Sequence, residues 1–469
     1  MGINYSKIKT SNLSIDSLLR LDSKFHLDFN DSGWDIFKTS SSNLVKLKDY
    51  IEPFYEKFNY EEDVEYFGIP TGRDYLNDFG QIISHQLVTK DDHPGRLKYS
   101  ADENCILISS LKGAVTPALN FDFNLSKYVF SNGFYIFKPK GKNNKKFILY
   151  LLRSIRIKYL IDNVIYRGIG ISSYREDDLL NIQIPYIDSE KQNSIVKKIE
   201  PLENEIIELI NSKKSEIDII NEAFSNEFNF DFEVFNKLKS EKIVSSSLLN
   251  FSNNIDCRFG YRFQHKSGKY MMDFLKSKTQ KRIKDYVAIP ITLGKSVSPS
   301  QYDEEGEYYY ISMATVKKFY FDKEDAKKVS DEYSNQNLNK AVKKNDIIMT
   351  RSGMAIGKFA LIKKNIKGIY ADFTMRIRLE NYNHQLAYYY FRSVFFQQLI
   401  TTNKKGLQNH NIFPSMIQEF PIPDWSIEKQ NEICDSITKQ IDKQRDIDKI
   451  IEQKQNEINR IIENAIESE

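Results

Sequence analysis

Cysteine is scarce in this chain: Cys105, Cys257 and Cys434 are the three present in 469 residues, and they lie far apart. Such spacing offers neither a metal knuckle nor a disulfide framework, so a reducing cytoplasm is the expected compartment. The six histidines (His26, His85, His93, His265, His384 and His410) are equally scattered, and no metal site is expected from them. Long apolar runs are missing too. FILYLL (residues 147–152) is among the longest, far short of the roughly 18 residues that a membrane helix needs. The opening MGINYSKIKT has no apolar core of a secretory signal. Its Met-Gly start with Ser6 fits the myristoylation pattern, a coincidence in a chain without other eukaryotic markers.

Catalytic signatures are also wanting. RSGMAIGK (residues 351–358) looks like a phosphate loop, but three residues separate its glycines where the nucleotide-binding pattern has four, and Phe359 follows Lys358 in place of Ser or Thr. An adenine methyltransferase would need an Asn/Asp-Pro-Pro-aromatic segment and a glycine-rich cofactor turn, and neither occurs. Asp346 with Glu380 could form a nuclease-like pair, although acids at strand ends more often serve solvation. The net charge of +3 decides nothing alone, because near-neutral totals hide segregated charge.

What the chain does contain is itself, twice. IDSEKQNSI (residues 187–195) returns as SIEKQNEI (residues 426–433), each time after an Ile-Pro pair, and both the glutamates (Glu190, Glu428) and the prolines (Pro185, Pro423) are 238 residues apart. Walking outward, Arg153-Ser154 faces Arg392-Ser393, NCILISS (104–110) faces NDIIMTR (345–351), and LKDYIEP (47–53) faces IKDYVAI (283–289). LDSKFHLDF (21–29) faces IDCRFGYRF (255–263). Offsets drift only between 234 and 242, as two copies with small loop insertions would. The chain is a tandem duplication.

Each copy ends in an amphipathic helix. In the first, Ile195, Ile199, Leu202, Ile206, Leu209, Lys213, Ile217, Ile220 and Phe224 recur every three or four residues, and in the second Ile433, Ile437, Ile441, Ile451, Ile458 and Ile462 do, interrupted by Gln444 and Asp448. The spacing predicts a coiled-coil seam, with a capping box at Ser189–Gln192 and one unbroken helix from Ser189 to Phe224 of about 50 Å. Such a helix cannot bury its stripe alone. Its duplicate is the natural antiparallel partner, which implies a pseudo-two-fold axis, and pairing with another molecule is the alternative.

Before each helix, strands alternate with turns. EYFGI (65–69) matches EYYYI (307–311), CILISS (105–110) matches DIIMTR (346–351), and FYIFKP (134–139) matches MRIRLE (375–380), with helices near 146–161 and 384–400. The fold class is therefore α/β (mixed α+β) in tandem duplication. The borders fall at residues 1–187, first globular domain; 188–228, first helix; 229–425, second globular domain; and 426–469, second helix. Basic and amide side chains collect at matched turns: TGRDY (71–75) with ATVKK (314–318), SLKGA (110–114) with RSGMAIGK, and YRGIGISSYR (166–175) with NKKGLQNHNI (403–412). These side chains reach base edges and phosphates in DNA. The candidates are Arg73, Lys112, Arg167 and Arg175 in the first copy, and Lys317, Arg351, Lys358, Lys404, Gln408 and Asn409 in the second. Their identities differ between copies, so two copies that read bases would read different sequences.

Taken together, NDIIMTRSGMAIGKFAL (345–361), GLQNHNIFPSMIQEFPIPDWSIEKQNEI (406–433) and LLNIQIPYIDSEKQNSI (179–195) make the chain resemble the DNA sequence-specificity (S) subunit of Type I restriction-modification systems, a host-defence machinery. The resemblance covers nearly the whole length. It implies two target-recognition domains separated by two antiparallel conserved helices, no catalysis in this subunit, and a bipartite asymmetric DNA site. It further implies two methyltransferase (M) subunits that carry S-adenosylmethionine, a restriction/translocase (R) subunit that can join, no cofactor in this chain and no membrane. The first copy departs from the pattern: SSLKGA stands where the family shows Arg-x-Gly then Gly-Lys. Two other classes remain, a standalone restriction or modification enzyme and a protein-binding coiled-coil adaptor.

Overall fold

The computed structural model describes residues 43–72, 74–76, 82–111, 118–119, 124–165, 173–245, 258, 260–317, 320–406 and 410–467. Five helices organise the chain: α1 (Lys145–Arg153), α2 (Ser189–Ser212), α3 (Glu216–Phe228), α4 (His384–Arg392) and α5 (Ile427–Glu467). The chain forms two compact units, residues 1–212 with 449–469, and residues 213–448. These differ from the borders read in the sequence, because α5 contributes its first part to one unit and its last part to the other.

In the first unit, the strands Ile51–Pro53, Phe134–Pro139, Ile106–Ser109 and Ala118–Leu119 pair in that order. A second sheet runs in the order Glu56–Lys57, Leu97–Ser100, Tyr128–Ser131, Tyr66–Ile69, Gln86–Val88. Its Tyr66–Ile69 and Tyr128–Ser131 are parallel neighbours. The other unit repeats the plan with Thr292–Leu293, Thr374–Ile377, Ile347–Thr350 and Phe359–Leu361 in one sheet, and with Tyr308–Ile311 parallel to Gly368–Tyr370 in another. Ile106 faces Phe137 and Ile347 faces Ile377, which matches Phe137 to Ile377, one residue off the FYIFKP–MRIRLE match read in the sequence.

The short apolar runs at these inner strands follow from burial on both faces. Ile106 and Ile108 pack with the α1 side chains Phe147, Ile148 and Leu151, while Leu107 points into a separate core with Ile69, Phe130 and Ile136. Likewise Ile347 and Met349 pack with the α4 residues Leu386, Tyr390 and Phe391, whereas Ile348 joins Ile311, Val316 and Tyr370. Alternation of side chains along a strand does the sorting. Asp346, at the edge of this strand, is fully buried and accepts from Arg378 through both oxygens at 2.6 and 2.7 Å, and from the Lys343 N–H at 2.8 Å. Asp346 is thus paired with Arg378 rather than with Glu380, as a nuclease-like pair would have required.

The repeated Gln-Asn pair serves a purpose other than the expected capping box. Gln192 is wholly buried; its Oε1 accepts from the backbone N–H of Asn144 at 2.7 Å and its Nε2 donates to the Ile187 carbonyl at 2.8 Å. Gln430, nearly as buried, takes the Asn383 N–H at 2.8 Å and gives to the Trp425 carbonyl at 2.8 Å. Asn144 and Asn383 are the N-cap residues of α1 and α4. Each donates its own side-chain amide to the next member of the pair, Asn193 or Asn431, at 2.7 Å. Each glutamine-asparagine pair thus ties the start of a long helix to the start of a domain helix. Capping of the long helices falls instead to Asp188, whose carboxylate accepts from the Lys191 N–H at 2.9 Å, and to Ser426, whose hydroxyl accepts from the Lys429 N–H at 3.3 Å.

The first long helix is not continuous. It ends at Ser212 and resumes at Glu216, with Ser215 as a fresh N-cap accepting from the Asp218 N–H at 3.1 Å. The reading of one helix from Ser189 to Phe224 missed this because Lys213 falls in phase with the stripe; its long side chain instead ion-pairs with Asp448 in the same unit. The freed Lys214 N–H donates to Gln444 Oε1 at 2.9 Å. The two polar residues that interrupt the second stripe are therefore the partners of the break in the first. Of the other stripe residues, Ile195, Ile199, Ile206, Ile220, Ile433, Ile437, Ile441 and Ile451 are buried, and Leu202, Leu209, Ile217 and Ile458 are half-buried.

Within each unit the helical partners run antiparallel. In the first, Glu205 of α2 ion-pairs with Lys454, while the earlier Ile195 and Ile199 share a core with the later Ile462 and Ile466. In the other, Glu216 at the start of α3 meets Arg445 at 3.4 Å, and Glu227 at its end meets Lys429 at 3.2 Å.

Candidate nucleic-acid interface

In the second copy, the inner strand Ile347–Thr350 delivers Arg351 at its end, and the following loop is closed by hydrogen bonds. Thr350 accepts through its carbonyl from the Gly357 N–H at 3.0 Å and through its hydroxyl from the Lys358 N–H at 3.1 Å, and that hydroxyl donates to the Ala355 carbonyl. Gly353 (φ +63°) and Gly357 (φ +82°) adopt left-handed backbone that side chains disfavour. Turn geometry, not phosphate binding, explains the glycine spacing of RSGMAIGK.

A second loop docks on the first. The Gly353 N–H donates to the His410 carbonyl at 2.9 Å, the Ile412 N–H to the Arg351 carbonyl at 3.0 Å, and the Ser352 hydroxyl to Asn411 Oδ1 at 2.5 Å. Lys405 and Asn411 exchange backbone hydrogen bonds at 2.7 Å each way and close the base of the loop that carries Gln408 and Asn409. Those two candidates lie outside the described residues. Lys404, beside this base, is half-buried; burial and the neighbouring Arg262 charge push its ammonium below the usual lysine range. Arg258 donates to the Lys404 carbonyl at 2.9 Å, and Arg262 lies 2.7 Å from the His410 ring nitrogen. Neither arginine was singled out in the sequence, because each comes from a distant segment and only the fold brings it here.

Arg351 donates through Nε to the Asp372 carbonyl at 3.3 Å, with the rings of Phe373 and Phe413 about its guanidinium at 6.0 and 5.9 Å. Lys358 is half-buried and forms no ion pair among the described residues. Arg351, Lys358 and Lys404 thus belong to one pair of interlocked loops. Lys317 is different: Asp325 and Asp322 both hold its ammonium, the second at 3.8 Å, and the hydrogen bond with Asp325 raises its pKa.

The first copy carries a bridge at the matching strand end. Leu111, after the inner strand, bridges to Ser173, as Ser352 bridges to Asn411. The Tyr174 hydroxyl donates to the Ser109 carbonyl at 2.8 Å, which fixes the junction. Arg175 is exposed at the start of the helix Glu176–Leu180, and its N–H donates to Asp178 at 3.3 Å. Arg73, Lys112 and Arg167 lie outside the described residues. Among the described residues no cluster of His, Cys, Asp and Glu could hold a metal ion, and no helix is long and apolar enough to cross a membrane.

A family model described as the Type I restriction modification DNA specificity domain matches twice, at residues 35–218 and 276–460. The chain belongs to that family. The two matches follow the two copies and together take in most of the specificity chain. No curated protein sequence matches it. Among solved structures it is similar to one described as the structural basis of complex assembly and conformational transition of the type I R-M system, at 14% identity, with 91% of this chain and 98% of that chain covered and a TM-score of 0.47. It is also similar to a Type I restriction-modification S subunit from M. genitalium, at 12% identity, with 91% and 97% covered and a TM-score of 0.43.

Proposed function

We propose that this specificity chain is the DNA-recognition subunit of a Type I restriction-modification complex and reads a bipartite, asymmetric site. One observation supports the reading: a bridge between the end of the inner strand and a later segment, Leu111 with Ser173 and Ser352 with Asn411, recurs in both copies, and the sequences beside it differ. Two scaffolds of one design bearing different base-contacting groups suit two different half-sites. The long helices act as the spacer between them. The chain recruits two methyltransferase subunits, which supply S-adenosylmethionine and the adenine chemistry, and an R subunit can join. It performs no catalysis of its own, a reading favoured by the engagement of Asp346 with Arg378. The cytoplasm, where DNA lies, is its proposed place.

The test is methylome sequencing of a host with the cognate methyltransferase subunit, with and without this gene. A bipartite methyladenine motif that vanishes on deletion supports the reading. An unchanged methylome with an intact partner overturns it.

A further inference from the structure

We infer that Lys295, Lys340 and Arg376 form a clasp for a backbone phosphate of DNA, built into the second recognition domain at a place where the first carries apolar packing. This rests on the DNA-recognition reading above and adds to it a contact outside the paired loops.

The two copies differ at matched core positions. Ile136 sits opposite Leu107 as Arg376 sits opposite Ile348, and Phe130 sits opposite Ile69 as Tyr370 sits opposite Ile311. In the first copy Ile136 and Phe130 share one apolar core. In the second, an arginine only 8% exposed stands over a tyrosine, its Cζ 5.0 Å from the centre of the Tyr370 ring. One terminal nitrogen of Arg376 donates to the Ala341 carbonyl at 2.7 Å, which satisfies a hydrogen bond but supplies no negative charge. Burying a charge where isoleucine would serve costs folding free energy, so its presence points to use rather than to packing.

More positive charge collects beside it. Lys340 reaches the same ring at 5.7 Å and donates to the Leu293 carbonyl at 2.7 Å and the Thr292 hydroxyl at 3.1 Å. Burial and the charges of Arg376 and Lys295 push its ammonium below the usual lysine range. Lys295 is exposed, and Gly294 before it lets the chain pass close to Tyr370, whose carbonyl oxygen would lie 1.9 Å from a Cβ placed there. None of Lys295, Lys340 and Arg376 forms an ion pair among the described residues. Together with Arg378 they are four cations against two carboxylates: Asp346, held through both oxygens by Arg378, and Asp372, which lies by Tyr310 and Tyr333. A fixed surplus of positive charge asks for a fully negative group, which a phosphate supplies and a base edge does not. DNA is the fitting source, because residues 370–374 join the clasp to the paired loops. The Lys295 N–H donates to the Tyr370 carbonyl at 3.1 Å and the Gly294 N–H to the Thr374 carbonyl at 3.2 Å, while the Arg351 N–H donates to the Phe373 carbonyl at 3.0 Å.

The experiment uses the full chain with its methyltransferase subunit and measures affinity for a duplex bearing the wild-type methylated motif over a series of salt concentrations. Lys295→Gln and Lys340→Gln are each expected to lower the slope of log affinity against log salt by about 1, to weaken binding to a scrambled duplex by the same factor, and to leave the methylated motif unaltered. Arg376→Ile installs the residue of the first copy and is expected to weaken binding in the same uniform way while thermal stability holds or rises. Unchanged slopes in both lysine variants overturn the inference, as does lost affinity with the wild-type slope, which a structural defect would give. A changed motif overturns it too, since the contact would then be to a base. An Arg376→Ile chain that melts earlier and binds DNA as before makes that arginine structural and removes it from the clasp. If inorganic phosphate at constant ionic strength raises the melting temperature of the wild type alone, while all DNA slopes agree, the site takes a free anion and the assignment to DNA falls. Should Lys340→Gln fail to fold, the exposed Lys295 decides alone. A wild-type complex that neither binds nor methylates any duplex defeats the recognition reading itself, before any variant is compared.

Discussion

Removing the amide of Gln430 would strand two backbone groups, the Asn383 N–H and the Trp425 carbonyl, in a place that water does not reach. Gln430→Met keeps the volume and loses both bonds, so a destabilisation of about 1 to 3 kcal/mol is expected, read as a lowered denaturation midpoint. Gln192→Met should do the same in the first copy. The repeat was plain in the sequence, but its purpose was not. Glu-Lys-Gln-Asn before a helix satisfies a local capping pattern, and nothing local reveals that the glutamine bonds to a residue 48 positions earlier. Burial pushes the Cys105 thiol up to about 12 and raises that of Cys434. Both should resist iodoacetamide in the native protein at pH 8 and react once it is unfolded, which peptide mass mapping would read. Because the folded thiol of Cys105 holds its proton more tightly than the unfolded one, its contribution to stability is whole below the ordinary value near 9 and is lost as pH rises towards about 12.

At the level of elements, FYIFKP formed the strand its apolar pattern suggested, whereas the helices expected near 146–161 and 384–400 each break after the Arg-Ser junction, with Ser154 and Ser393 standing between two shorter helices. The break at residues 213–215 left no mark in the apolar pattern, because a long aliphatic lysine stem can occupy a stripe position without forming part of the seam. Ser215→Ala removes the cap of α3 and should cost about 1 kcal/mol. Gln444→Leu leaves the Lys214 N–H without its side-chain partner, at a similar or smaller cost given its exposure. Thermal melts of the two single variants and the double test whether both act at this one joint; additivity would mean that they do not. On the proposed function, inserting a helical turn into α2 with a matching insertion after Lys449 should lengthen the unspecified spacer and leave both half-sites intact. A methylome with the original spacing would sink the idea that the helices measure distance.

For the whole molecule, duplication was the most legible property and the chemistry of the loops the least. Arg351, Lys358 and Lys404 could be picked out because they follow strands in matched places, but Phe373, Phe413, Arg258 and Arg262 reach the same loops from segments scattered over more than 150 residues. If each copy reads its own half-site, exchanging residues 351–358 and 403–412 for those of another specificity chain should alter one half-site and preserve the other, a difference that methylome sequencing would resolve. One feature of the first unit also governs the order in which the protein is made. Ile462, Ala465 and Ile466 lie in the same core as Ile195, Ile199 and the α1 residues. A ribosome that has finished residues 1–212 has therefore not yet supplied the side chains that close that core, and the nascent unit must wait through another 237 or more residues, exposed to chaperones and proteases, before it can be sealed.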